Sequence, residues 1–257
     1  MKKICTGFFC FALTLCLILP TFAAGGEYHW YCKRQKNHKQ ALCDPEMRFV
    51  EDLDGYYIDH RHTEENDDKV VYLTFDAGYE NGNVEKILNT LRDTGTPGAF
   101  FILSHFAKTN SELVRRMAAE GHLVCNHTAS HKNLSHAGKE QIAGELSALE
   151  AACEEATGVK VAPYFRPPEG SFSKEMLENV KSLGYKTVFW SFAYADWDNG
   201  KQPAPDKALK LVLDNVHNGA VLLLHPTSAT NAAILGRLIE SLKADGYRFG
   251  TLEELCQ

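Results

Sequence analysis

The chain has 257 residues, enough for one large domain of barrel size rather than a string of small ones. Its formal net charge of -6, from 33 acidic and 27 basic side chains, argues against a nucleic-acid partner, which calls for a basic face. That balance suits an uncharged or peptide-stripped glycan better than an acidic polymer.

The chain opens with Met1-Lys2-Lys3, an apolar run over residues 4–19, and a stretch from Pro20 to Gly25 that includes Ala23 and Ala24. A basic start, an apolar centre and small residues at the end predict a secretory leader over residues 1–24. The alternative is an uncleaved anchor, but the run is short of the about 20 apolar residues a span needs. Cleavage at Ala23-Ala24 leaves an exported protein with no stable membrane span. It also removes Cys5, Cys10 and Cys16, leaving Cys32, Cys43, Cys125, Cys153 and Cys256. An odd number leaves at least one thiol free or paired between chains. Cys32 and Cys43 can close a small loop in an oxidising compartment, if their geometry permits. Cys125 and Cys153 read as buried free thiols, and no spacing matches a zinc motif.

Residues 25–69 alternate polar and aromatic side chains without a sustained period and end in a charged loop, which predicts an arm on the main domain. From residue 70 to 257, strand-like and helix-like segments alternate. Strands are expected near 70–75, 98–103, 122–126, 164–166, 187–192, 220–224 and 247–249. Helices are expected near 83–92, 111–120, 139–157, 173–183, 207–215 and 231–245, the first on the stripe Val84, Ile87, Leu88, Leu91. Near-continuous apolar strands alternating with amphipathic helices imply a parallel sheet covered by helices. The expected α/β fold is a distorted (β/α) barrel of about seven parallel strands, with an open doubly wound sheet as the alternative. No phosphate-type glycine fingerprint opens a helix, which counts against nucleotide binding.

Chemistry-bearing residues cluster where strands end. Asp76 follows the apolar run Val70 to Phe75 and precedes Gly78; a carboxylate there is either a base held by the sheet or ordinary turn chemistry. His127 and His131 follow the third strand, and at i and i+4 on a helical turn they would face one metal. Arg166, beside Pro167 and Pro168, can clamp a carboxylate with two hydrogen bonds or make a surface ion pair. Asp196 and Trp197 follow the fifth strand, as an acid beside an indole or as a plugged turn. His225 closes the apolar strand Ala220 to Leu224, as a proton donor or a satisfied core residue. At one face of a barrel, these residues would assemble a metal, a base with an arginine partner, and an aspartate-oriented histidine acid. That set suits metal-assisted hydrolysis.

The order Thr74-Phe75-Asp76, His127-Thr128-Ala129-Ser130-His131, Arg166-Pro167-Pro168-Glu169-Gly170, Asp196-Trp197 and Leu223-Leu224-His225 resembles the polysaccharide deacetylases of the NodB-like carbohydrate esterase family. The likeness runs from residue 70 to the C-terminus. Within the family, the chain is most similar to the delta-lactam-biosynthetic de-N-acetylases of spore-forming bacteria. That similarity lies in Tyr72 to Gly82, Phe189 to Trp197, Leu222 to His225 with Asn231-Ala232, and in the arm Trp30, Asn37-His38-Lys39 and Asp54 to Tyr57.

The resemblance implies a hydrolase of amide bonds acting on peptidoglycan glycan strands. It implies removal of the N-acetyl group of peptide-stripped muramic acid, to give muramic δ-lactam during spore cortex synthesis. The location implied is the cell wall or extracytoplasmic space, between the forespore membranes. It further implies Asp76 as base, Arg166 as its partner, and His225 as acid oriented by Asp196. The backbone N–H of Glu169 would stabilise the oxyanion, and Trp197 with Leu223 would shape the acetyl pocket. His127 and His131 would hold a divalent metal: zinc, or manganese, magnesium or cobalt. Most of the family carries a second aspartate as third metal ligand where this chain has Ala77, so a weak, exchangeable metal is expected. Two other functions fit the same scaffold: deacetylation of N-acetylglucosamine in peptidoglycan or a chitin-like glycan without lactam, and non-catalytic wall binding. Keeping Asp76, Arg166, Asp196 and His225 together argues against a pure binder, which has no use for both acid and base.

Overall fold

The computed structural model describes residues 26–257; the leader expected over residues 1–24 lies outside them. Ahead of the main alternation come four two-residue strands, β1 (Tyr28–His29), β2 (Cys32–Lys33), β3 (Leu42–Cys43) and β4 (Gly55–Tyr56), with the single-turn helix α1 (Phe49–Asp52) before β4. The remainder runs β5 (Lys69–Ala77), α2 (Val84–Thr94), β6 (Ala99–Ile102), α3 (Ser104–Thr109), α4 (Ser111–Ala119), β7 (Leu123–Asn126), α5 (Lys139–Thr157) and β8 (Ala162–Phe165). It continues with β9 (Ser171–Phe172), α6 (Lys174–Ser182), β10 (Lys186–Val188), α7 (Pro205–Asn215), β11 (Ala220–Leu224), α8 (Ala229–Ala244), β12 (Tyr247–Phe249) and α9 (Leu252–Leu255). Among the described residues, no helix is long and apolar enough to cross a membrane.

The main sheet has the order β11-β5-β6-β7-β8-β10-β4, with β12 also pairing β5. All of its named pairings are parallel. Beyond β10 the chain changes partner. Phe189 donates its N–H to Tyr56 O at 2.7 Å, and Ser191 then donates to Val221 O at 3.0 Å. A bridge between Phe192 and Leu222 brings the two ends of the strand row together. The sheet therefore curls into the distorted barrel expected from the alternation, and the strand expected to continue to residue 192 stops at Val188 because of this switch. The eighth strand, β4, comes from the segment ahead of the alternation, and α3 was not visible as a separate helix in the sequence.

Burial follows strand alternation. On β5, Val71, Leu73, Phe75 and Ala77 join the apolar layer beneath the helices, whereas Val70 and Tyr72 face the barrel interior with Phe101, Cys125 and Val221. Leu252 and Leu255 of α9, with Cys256 just past it, belong to that same interior cluster. Helix α2 buries Val84, Ile87, Leu88 and Leu91 and ends at Gly95, whose φ of 60° suits glycine at a helix terminus. Ser173 and Ser228 cap α6 and α8 by accepting from Met176 N and Asn231 N.

The N-terminal segment is fastened beside the strand ends. Strand β1 pairs antiparallel with β9. Trp30 stacks on Phe189 with ring centroids 4.4 Å apart, and its Nε1 donates to Trp190 O at 2.8 Å. Gly170, at φ 67°, approaches Trp190 so closely that a Cβ would lie 2.8 Å from the indole. Trp30→Ala is expected to lower unfolding free energy by about 3–5 kcal/mol, read as a lower urea midpoint, with Trp190 more accessible to a fluorescence quencher.

Candidate active site

The C-terminal ends of β5, β7, β8 and β11, with the loops after β8 and β10, surround a cavity of about 660 Å³. Its lining includes Asp76, His127, His131, Glu169, Trp197, Leu223 and His225. Asp76 sits near the end of β5 on the face opposite Ala77 and accepts from Arg166 Nη1 at 2.7 Å through Oδ1. Arg166 is fully buried. Its other two nitrogens are also engaged: Nε reaches Val188 O at 2.9 Å, and Nη2 reaches Thr74 Oγ1 at 2.9 Å and Phe189 O at 3.2 Å. The guanidinium lies over the Phe101 ring at 4.1 Å. Burial opposes ionisation of Asp76, but the charge of Arg166, with smaller contributions from His127 and His225, outweighs it and holds the carboxyl below its ordinary range.

The two expected metal ligands do meet, but not on a helical turn. Residues 127–131 form an irregular loop in which Thr128 (φ 74°) and His131 (φ 58°) are left-handed. Asn126 Oδ1 accepts from Thr128 N at 2.9 Å, and Thr128 Oγ1 accepts from His131 N at 2.9 Å. These local bonds compete with helix formation and fold the loop back. The histidine rings end up edge to face with centroids 4.9 Å apart. Buried His127 places Nδ1 2.8 Å from Arg166 O. A carbonyl only accepts, so Nδ1 carries the proton and Nε2 keeps its lone pair, 3.6 Å from Asp76 Oδ2. Burial pushes the His127 pKa down to about 4, so the ring is neutral at ordinary pH.

A neutral imidazole with its second nitrogen fixed by a carbonyl is the form that binds a divalent cation, so His127 fits one on its donor chemistry, with the His131 ring beside it. Ala77 offers only a methyl group, packed in the apolar layer. Among the described residues, no group of three His, Cys, Asp or Glu side chains is spaced to enclose a metal ion.

His225, just past β11, has Nδ1 2.7 Å from Asp196 Oδ1, and its backbone N–H donates to Asp196 Oδ2 at 2.8 Å. Burial disfavours the imidazolium, but the hydrogen bond to Asp196 and that residue's charge outweigh it and raise the His225 pKa above its ordinary 6.5. Asp196 is fully buried and also accepts from Asn231 Nδ2 at 2.6 Å, while the same amide reaches His225 O at 3.0 Å. The Tyr194 hydroxyl donates to Asn231 Oδ1. Sequence reasoning gave no role to Asn231, Tyr194 or Thr74. An asparagine in the first turn of a helix carries no mark of the carboxylate it will meet across the fold.

Glu169 (φ 59°) lines the cavity between buried Pro168 and Gly170. Leu223 is buried, whereas Trp197 is 65 % exposed, so it is an open wall rather than an apolar plug.

With this geometry in view, the likeness to known proteins is specific. Residues 63–188 match the model of the polysaccharide deacetylase family. Over 228 residues the chain is 36% identical to the peptidoglycan-N-acetylmuramic acid deacetylase PdaA of Bacillus subtilis, covering 88% of this chain and 85% of that one. The solved structure of B. subtilis PdaA, a family 4 carbohydrate esterase, matches with a TM-score of 0.83 over 89% of this chain and 96% of the other. A family 4 carbohydrate esterase from Bacillus anthracis matches at 33% identity and a TM-score of 0.72, over 90% and 96%. The chain belongs to the polysaccharide deacetylases, the family 4 carbohydrate esterases. It is a hydrolase of N-acetyl amide bonds.

Removing one partner of a buried ion pair strands the other charge, at about 3–5 kcal/mol. Arg166→Met is expected to cost that much in equilibrium denaturation. Adding Asp76→Asn should recover part of the loss, because the uncompensated carboxylate is gone; a double variant weaker than the single one would show that Asp76 is not the stranded charge.

Proposed function

We propose that the protein removes the N-acetyl group of muramic acid in peptidoglycan whose peptide has been stripped, and that the product closes to muramic δ-lactam. What supports this is one cavity lined by Asp76 and His225, each backed by a buried partner of opposite charge, Arg166 and Asp196. Alongside it stands the 36% identity to a relative named for N-acetylmuramic acid deacetylation. Asp76, ionised beside Arg166, accepts a proton from the attacking water. The backbone N–H of Glu169 donates to the oxygen that gains charge as the acetamide carbon becomes tetrahedral. His225, held protonated by Asp196, gives its proton to the departing amine. Trp197 and Leu223 wall the space for the acetyl methyl. A divalent metal held by His127 and His131 would polarise the carbonyl and the water; imidazole ligation suits zinc, with cobalt, manganese or magnesium as alternatives.

The freed amine and the lactyl carboxyl of the same sugar can then condense, with loss of water, into a six-membered lactam. That step needs a free carboxyl, hence a muramic acid without its peptide. One observation favours N-acetylglucosamine instead: no Lys or Arg is among the residues lining the cavity to meet a lactyl carboxylate. In the proposed setting, residues 1–24 direct export and are removed, 25–69 form the arm, and 70–257 form the catalytic domain. The enzyme would then act on the wall during spore cortex synthesis, between the forespore membranes.

Acetate release and product mass on peptide-stripped glycan test the substrate. The expected product has lost acetyl and then water at muramic acid; deacetylated glucosamine with intact muramic acid would exclude the lactam function. Asp76→Asn should abolish acetate release while the fold survives, and wild-type turnover by this variant would remove Asp76 as the base.

His225→Ala is expected to keep its metal and lose about 10²–10⁴ in rate, whereas His127→Ala should lose the metal, measured by elemental analysis. Metal loss in His225→Ala would make His225 a ligand rather than the acid. Because the acid must be protonated, and the His225 pKa is raised above 6.5, activity should fall as pH rises through that raised pKa. Asp196→Asn removes the largest of the raising interactions and should move the alkaline fall to lower pH.

A further inference from the structure

Strands β2 and β3 form a small antiparallel hairpin in which Cys32 lies directly opposite Cys43, with Lys33 opposite Leu42. Directly opposed residues of an antiparallel pair have Cα atoms about 4.5 or 5.5 Å apart, depending on their place in the ladder. Both separations fall within the roughly 4.4–6.8 Å that a disulfide spans. Opposed side chains also leave a hairpin on the same face. Here that face is the inner one: Cys43 is buried and Cys32 packs against the same apolar cluster, while Lys33 and Leu42 point outward and are exposed. No other described cysteines are paired by strand register: Cys153 lies on α5, and Cys125 and Cys256 lie on β7 and just past α9.

We propose that Cys32 and Cys43 form a disulfide that staples the arm hairpin. The two thiols give up two protons and two electrons to an external disulfide, either glutathione disulfide or an oxidised dithiol enzyme, which departs as two thiols. Both groups are thiols in the structure as it stands. Burial pushes both thiols up, further for Cys32, which also feels Cys43. Exchange therefore runs while the arm is still open, because only the thiolate attacks.

The staple sits where it matters for the cavity. Cys32 Sγ lies 3.5 Å from Trp190 O, the carbonyl that Trp30 Nε1 also reaches. Arg34, two residues on, donates to Ala193 O and lies over the Phe192 ring at 4.6 Å. Trp190 and Ala193 both line the cavity. Closing the hairpin thus restrains the segment that props one wall of the site. Occurrence in the cell rests on the export proposed above, but the chemistry can be tested without it.

The reduced, denatured protein is refolded in a glutathione redox couple, its free thiols are alkylated in denaturant, and it is digested with trypsin, which cuts after Lys33 and Lys39. The expected result is a Cys32 peptide joined to the peptide 40–48 and separated by reductant, with Cys125, Cys153 and Cys256 alkylated. Oxidation should be slow when oxidant is added only after folding. Closing a loop of roughly ten residues should raise the melting midpoint by on the order of 5–10 °C. Reductant should remove that gain from the wild type and leave the double variant C32S/C43S unchanged. Alkylation of both Cys32 and Cys43 after equilibration, a cross-link that uses another cysteine in their place, or equal midpoints for the oxidised and reduced wild type would overturn the proposal.

Discussion

A fully buried guanidinium is costly unless it is paired and hydrogen-bonded, and all three nitrogens of Arg166 are bonded, joining the strand ends around the site. It directly follows β8; it bonds Thr74 and Asp76 on β5, the carbonyls of Val188 at the end of β10 and of Phe189 just beyond, and it lies on Phe101 of β6. Its backbone carbonyl fixes the ring of His127 after β7. One side chain therefore sets the ionisation of Asp76, and its main chain sets the tautomer of His127. Neither residue keeps its chemical state if the arginine is displaced.

The opposite side of the cavity is organised around a buried anion instead. Asp196 takes hydrogen bonds from the His225 backbone, the His225 ring and the Asn231 amide, so its two oxygens are committed. The result is a pair of titratable groups pushed in opposite directions by their neighbours: a carboxyl whose ionised form a cation favours and an imidazole whose protonated form an anion favours. Opposite charges beside the two groups favour a deprotonated and a protonated side chain in one site at the same pH.

The N-terminal segment is structural in a way that bears on this chemistry. It adds β4 to the main sheet, pairs β1 with β9 beside Glu169 and Gly170, and seats Trp30 between Phe189 and the Trp190 carbonyl. The wall formed by Trp190, Ala193 and Tyr194 thus leans on residues far away in sequence. A site at the mouth of a barrel needs such props, because the loops that build it have few backbone partners of their own.

Much of this was legible in the chain. Apolar runs of strand length, alternating with stripes such as Val84, Ile87, Leu88 and Leu91, are enough to specify parallel strands under helices, because burial on both faces leaves no other pattern open. The residues at the strand ends were legible too, since each is a polar group that an apolar strand would otherwise exclude. The grouping was thus readable from the chain alone: Asp76, His127, His131, Arg166, Asp196 and His225 all lie around one cavity or directly behind it. Local conformation was less legible. The spacing of His127 and His131 suggested a helical turn, but hydrogen bonds accepted by the Asn126 and Thr128 side chains accompany left-handed backbone instead. The partnerships rest on long-range packing. That Arg166 would be wholly buried, that Asn231 would hold Asp196, and that β4 would come from the arm all depend on contacts between residues dozens of positions apart. A local pattern records which face of an element is apolar; it does not record which distant group that face will meet.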